Sequence, residues 1–441
     1  MPRKTILLEG HNLTLETGTG IATYARMLNS TLRSLGHATE AVIGTHVNIA
    51  TNDALLSEVS FFDARAKNRH WMLRAAGLAR HAIVGSPFGI SATALQFGNA
   101  VLQPAGGRFA NFDRIHAVRG LPDVARLHFR RYKSRPQLKM DTKPDLFHAT
   151  QPIPLRVEGC PNIYTIHDLV PLRLPYATLD DKKYFLELTR HLARNADHIV
   201  TVSEHSKRDI VKLLKISEYR VTNTYQSVQI PEALLSMPMR EVADELEHVF
   251  QLEPGRYFLF VGAIEPKKNI SRLVDAYASS GSSRPLVIVG APAWQFDRDL
   301  EKIGDERFLT YIMRNGRITP YRRVRRLAYL QLPDLVALMR GARAVLFPSI
   351  YEGFGLPVLE AMVAGTPVLT ANVSSLPEIA GDAALLVDPY DVDAIAKGIR
   401  TLDSDDDLCA ALVTKGRVQA QKFSPDRYSK RLAKLYQRLL N

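Results

Sequence analysis

Short, continuously apolar runs alternate along this chain with longer stretches whose apolar residues recur every three or four positions. The short runs suit strands buried on both faces of a parallel sheet, and the longer stretches suit helices laid across it. Strands are expected at residues 5–8, 37–44, 145–149, 162–166, 199–202 and 221–224, and again at 257–261, 285–290, 345–347 and from Val368 onward. The first helix carries Ile21, Tyr24, Ala25, Leu28, Leu32 and Leu35 on one face. Others are expected over 180–196, after a cap at Ser203, from Asn269, over 334–340, from Pro357 and over 426–440. The alternation runs twice, with residues 231–238 as a linker, so the chain reads as α/β in two domains.

Some stretches do not follow the pattern. Residues 82–107 carry no charge, yet Pro87, Gln96, Asn99, Gln103 and Pro104 interrupt the apolar run. They read as a partly buried or surface-docking loop–helix region rather than a membrane span. Residues 314–326 hold six arginines, most read as solvated and some as able to meet a base or an acceptor. Residues 403–407 read as a solvated acidic turn, and Asp391-Val392-Asp393 as helix-start acids rather than a metal site.

Composition narrows the class. A chain of 441 residues with 46% apolar and 23% charged residues is that of a soluble globular protein of two domains. The apolar run in the opening MPRKTILLEG is too short for a signal peptide. Cys160 and Cys409 lack metal-ligand spacing, which favours free thiols in a reducing cytoplasm. The net charge of +12 is concentrated: residues 60–140 hold fourteen Lys/Arg against Asp63, Asp113 and Asp123. An anionic membrane surface, an anionic acceptor and nucleic acid all fit such charge, as does a plain solvated face. No nucleic-acid motif accompanies it, so no nucleic-acid partner is expected.

The candidate chemistry sits in residues 345–370. After the strand, Glu352-Gly353-Phe354-Gly355 forms a loop whose glycines let backbone approach a ligand. Pro357 suits a first helical position and Gly365 a helix stop. The helix N-terminus so formed suits a phosphate. Glu352 on the loop and Glu360 on the helix can face one crevice, where carboxylates accept from sugar or ribose hydroxyls. Phosphate donors beside hydroxyl acceptors suggest a nucleotide-sugar. Elsewhere, Gly18 and Gly20 open the first helix, His167 ends a strand, and Lys267 and Lys268 precede the helix at Asn269 as a diphosphate clamp.

The stretch PSIYEGFGLPVLEAMVAGTPVL resembles the signature of retaining glycosyltransferases of family 4. The resemblance is most specific over residues 255–390, good at the start and over 160–210, and weak over 50–140. It implies the GT-B fold, two Rossmann-like βαβ domains facing across a cleft. Residues 1–235 would be the acceptor-side domain with a basic insert at 60–140, residues 236–422 the nucleotide-sugar domain, and residues 423–441 a helix crossing back. It implies catalytic roles for His167, Lys268 and Glu352. It implies donor binding by Gly18, Gly20, Lys267, Gly353, Phe354, Gly355, Leu356 and Glu360, with no metal and no cofactor. Many members have Arg where this chain has Ala263, and Lys267 is the candidate substitute.

TIHDLVPLRLP with the signature is similar to enzymes of O-antigen and exopolysaccharide assembly, many of which use GDP-mannose or a related GDP-sugar. The implied reaction is hexose transfer to a glycan or polyprenyl-pyrophosphate-linked acceptor, on a cytoplasmic protein peripheral to the inner face of the membrane. A UDP-hexose transferase, a sugar-nucleotide epimerase of the same fold, and a non-catalytic basic binding protein are the alternatives.

Overall fold

A computed structural model describes residues 3–14, 20–45, 81–95, 111–314 and 317–440, with residues 53, 56, 58, 59 and 61. The first half holds strands β1 (Thr5–Glu9), β2 (Ala38–Thr45), β3 (Ile90–Ser91), β4 (Thr93–Leu95), β5 (Arg114–Arg119), β6 (Gln137–Lys139), β7 (Leu146–Ala149), β8 (Arg156–Val157), β9 (Asn162–Thr165), β10 (His198–Thr201) and β11 (Val221–Asn223). Eight of them form one sheet in the order β11-β10-β9-β7-β1-β2-β5-β4, and β3, β6 and β8 form a small sheet of their own. Every pairing in the large sheet is parallel except β4 on β5. Such strands need helical crossovers that cover both faces, which is why β7 and β9 are buried throughout.

The second half holds β12 (Phe258–Val261), β13 (Leu286–Val289), β14 (Leu309–Arg314), β15 (Arg317–Arg322), β16 (Val324–Leu327), β17 (Ala344–Phe347), β18 (Val368–Ala371) and β19 (Leu385–Val387). Its six-stranded sheet runs β16-β13-β12-β17-β18-β19, all parallel. In both sheets the strand order reverses beside the first strand, between β1 and β7 and between β12 and β17. Ligands of open α/β sheets bind at the carboxyl ends of the strands at such a reversal.

One hydrophobic cluster spans both halves. It takes Ile6, Leu8, Tyr24 and Leu28 from the first, Phe258, Phe260 and Phe347 from the second, and Tyr428, Leu432 and Tyr436 from the closing helix Pro425–Leu440. That helix is pinned on the first sheet. Tyr436 Oη lies 2.7 Å from His148 Nδ1, and Arg438 donates to Thr222 Oγ1 at 3.1 Å.

Several expectations need correction. The region 82–107 is not loop and helix alone: helical turns lie at His81–Gly85 and Ser86–Phe88, β3 and β4 follow them, and residues 96–107 fall outside the described residues. The linker contains a helical turn, Glu232–Leu235, held by Arg340 donating to the Leu234 and Met237 carbonyls. The arginine-rich stretch forms a hairpin of β14 and β15 and the edge strand β16. The Asn315-Gly316 pair was the signal that could have found the hairpin. The acidic turn is not simply solvated. Asp403 pairs with Arg284, Asp405 caps the helix Asp406–Ala420, and Asp406 pairs with Arg343. Asp391-Val392-Asp393 needs no correction: Asp391 caps the helix Val392–Ser404 and Asp393 lies in its first turn, as helix-start acids.

Candidate active site

The loop that follows β17 is held from both halves of the molecule. Within its own half, Asn269 Nδ2 donates to the Pro348 carbonyl at 3.0 Å, and Ile350 N–H donates to the Lys267 carbonyl at 2.8 Å. Ser375 Oγ donates to the Glu352 and Phe354 carbonyls at 2.9 and 3.0 Å. From the first half, Asp209 accepts from Tyr351 Oη at 2.5 Å, and Ser206 Oγ donates to the Gly353 carbonyl at 3.3 Å. These bonds satisfy loop groups that burial would otherwise leave unpaired.

The two glycines are required by space and backbone angle. A Cβ at Gly353 would lie 2.8 Å from the His167 carbonyl oxygen and 3.0 Å from Asp168 Oδ2, so glycine lets the halves touch here. Gly355 has φ of +102°, and a Cβ there would lie 2.7 Å from Leu376 Cδ2. It precedes the helix Leu356–Ala364, which no side chain caps. Phe354 packs edge-to-face on Phe423 at 5.7 Å. Leu356 reaches toward Gly20, the first residue of the helix Gly20–Ser34, so two helix N-termini meet. Gly18 lies outside the described residues.

Lys267 and Lys268 belong to a tight turn, Pro266–Lys268, just beyond β12. Neither ammonium group is free. Lys268 Nζ donates to Glu352 Oε1 at 2.6 Å and sits 4.9 Å from the Phe347 ring centre. Lys267 Nζ lies 3.8 Å from Glu352 Oε2 and 3.7 Å from Glu265 Oε1. Burial works against the Glu352 carboxylate, yet Lys268 and Lys267 hold it below its ordinary value. Burial likewise opposes the Lys267 charge, and Glu352, Glu265 and Asp168 outweigh it and hold the ammonium above its ordinary range. Glu265 was absent from the sequence reading. It lies two residues before Lys267, is buried, has Oε2 without a partner, and is pushed up by that burial. The pattern Glu-Pro-Lys-Lys was the available signal.

His167 lies on the other side of Gly353. Its Nε2 is 2.9 Å from the Thr150 carbonyl, which fixes that nitrogen as the donor, and its ring meets Tyr24 edge-on at 4.8 Å. Burial pushes it down, toward the neutral imidazole. Asp168 accepts from Val170 N–H at 3.0 Å and so shapes the turn. Glu360 is half-buried on the helix Leu356–Ala364. Burial pushes its carboxyl up to about 7. The site therefore brings together a fixed pair of ammonium groups, an uncapped helix start and the His167 imidazole, with Glu360 farther along that helix.

Known proteins resemble this chain in both halves. Residues 244–419 match the family described as "Glycosyl transferases group 1", and residues 95–226 match "Glycosyltransferase Family 4". The O-antigen chain mannosyltransferase B of Escherichia coli is 32% identical over 64% of this chain and 72% of its own length. The serotype-specific mannosyltransferase WbdA of Escherichia coli is 29% identical over 58% of this chain, which spans only 31% of that longer protein. Among solved structures, sucrose-phosphate synthase from Thermosynechococcus elongatus aligns with a TM-score of 0.65 at 17% identity over 99% of each chain. HepE from Anabaena, in complex with UDP and glucose, aligns with 0.65 at 15% identity over 99% of this chain and 100% of its own. These likenesses carry the fold, two Rossmann-like halves of the GT-B type.

Proposed function

This chain belongs to the family 4 glycosyltransferases, and from that membership we propose that it transfers a mannosyl or related hexosyl group from a GDP-sugar, with retention at the anomeric carbon. The acceptor in this reading is a glycan or a polyprenyl-pyrophosphate-linked glycan of cell-surface polysaccharide synthesis. Residues 1–235 serve the acceptor, residues 236–422 hold the donor, and residues 423–441 tie the two together. The protein works at the cytoplasmic face of a membrane.

The observation that carries the reading is the Lys267–Lys268–Glu352 cluster at the strand ends of β12 and β17, beside an uncapped helix start. In the reaction the bond from the anomeric carbon to the diphosphate breaks and a bond to an acceptor oxygen forms. Negative charge grows on the leaving diphosphate as positive charge grows on the sugar. Ammonium groups already fixed at that place stabilise the first without reorganisation, and Glu352 beside them stabilises the second. The lysines serve here without a metal. Glu360 accepts from ribose hydroxyls, and His167 lines the sugar pocket.

The mannosyltransferase names of the sequence relatives favour a GDP-sugar. A UDP-hexose is the second reading, because a structural neighbour holds UDP and glucose. A thermal-shift panel of GDP, UDP, ADP, GDP-mannose and UDP-glucose separates them. The largest shift should come from GDP and GDP-mannose. A larger shift with the UDP pair selects the second reading, and no shift from any of them overturns both. Product NMR then reads the anomeric configuration.

A further inference from the structure

The hairpin of β14 and β15 holds none of the residues described in the candidate site. Its register sets Tyr311 opposite Pro320 and Met313 opposite Ile318. Residues two apart on a strand share a face, so these four side chains make one apolar surface. That surface is open: Tyr311 is 65%, Met313 73% and Ile318 72% exposed, and Pro320 is exposed too. Thr319 and Tyr321, on the other face, are half-buried. Single exposed apolar residues are ordinary, but four on one face of a two-stranded ribbon are not.

Along the ribbon's own sequence the charge has one sign. Residues 309–327 hold six arginines and no acid. Arg322 donates to the Gly304 carbonyl at 3.0 Å and Arg325 to the Phe250 carbonyl at 2.7 Å, which steady the base of the ribbon. Arg326 is exposed beside it.

We propose that this hairpin docks the protein on an anionic lipid surface, with the apolar face entering the interface and the exposed Arg322 and Arg326 meeting headgroup phosphates. A lipid interface accepts an apolar face and attracts arginine at the same place. A second copy of the chain fits less well, since the exposed Arg322 and Arg326 would meet the same residues across a two-fold axis, on a chain of net charge +12. The inference deepens the membrane-surface part of the proposed function by assigning residues to it. It requires no particular donor or acceptor.

The test is co-sedimentation of the full chain with vesicles of phosphatidylcholine alone and of phosphatidylcholine containing phosphatidylglycerol. Wild type should sediment with the anionic vesicles only, and less at high salt. Met313→Asp with Ile318→Asp should lower anionic-vesicle binding by about ten-fold or more, while the nucleotide thermal shift is unchanged. Met313→Ser with Ile318→Ser provides the same test should the aspartates impair folding. Variants that bind vesicles as wild type does would overturn the hairpin assignment and leave the transferase reading standing. Wild type that ignores anionic vesicles also overturns it, as do variants that lose self-association while still binding vesicles. The nucleotide shift, read in the same samples, reports separately on the donor site.

Discussion

Lys268 and Glu352 form a buried ion pair at the centre of the candidate site. The pair has a short bond, Lys267 as a second cation, and Glu265 as a second acid. Replacing one member leaves the other charge buried and less well matched. Lys268→Ala should lower kcat by about 100–1,000-fold, the cost of losing one donor to developing charge. It should also lower the melting temperature, because Lys267 alone remains near Glu352. Steady-state transfer assays and thermal unfolding check both, and near-normal turnover would remove Lys268 from the reaction. Glu360 makes a pH prediction. Its folded value, about 7, lies above the ordinary 4.5, so the folded chain holds that proton more tightly than the unfolded chain. Its contribution to stability is full below about 4.5 and is lost as pH rises through about 7. In the proposed role, nucleotide affinity should gain over the same rise as the carboxylate forms. Calorimetry at pH 6 and pH 8 should show wild type gaining more than Glu360→Gln, and equal gains would argue against ribose binding.

The unit formed by β17, its loop, the helix Leu356–Ala364 and β18 was legible because its signals are local. Pro357 and Gly365 punctuate it, and the apolar runs on either side are too short for helices. Its contacts were not legible. Gly353 is read in sequence as permissive for a ligand, yet in the fold its missing side chain makes room for the His167 carbonyl and Asp168. Gly353→Ala should therefore cost about 1–3 kcal/mol of stability, as overpacking does. It should also depress turnover by moving the loop from the first half. Unchanged melting and turnover would show that the two halves do not depend on this contact. The β14–β15 hairpin marks the other limit. Its large apolar residues lie on an exposed ribbon rather than in the core, so no buried periodicity announces it.

At the scale of the molecule, the halves are joined by polar groups as well as by core. Glu378 accepts from the N–H groups of Glu204 and His205 at 2.8 and 3.1 Å and so caps a helix of the opposite half. Glu378→Ala should cost about 1 kcal/mol through the lost cap. It should also enlarge the radius of gyration in small-angle scattering, and an unchanged radius would mean that the cap does not hold the halves together. The sequence by itself determined the two α/β halves, the glycine-bounded loop and the residues able to meet a diphosphate, because periodicity and turn chemistry act over a few neighbours. Only the tertiary structure decided that Glu352 pairs with both lysines and that burial pushes the Glu360 carboxyl up to about 7. Charge pairing and desolvation depend on distances between groups tens of residues apart along the chain, and folding alone sets those distances.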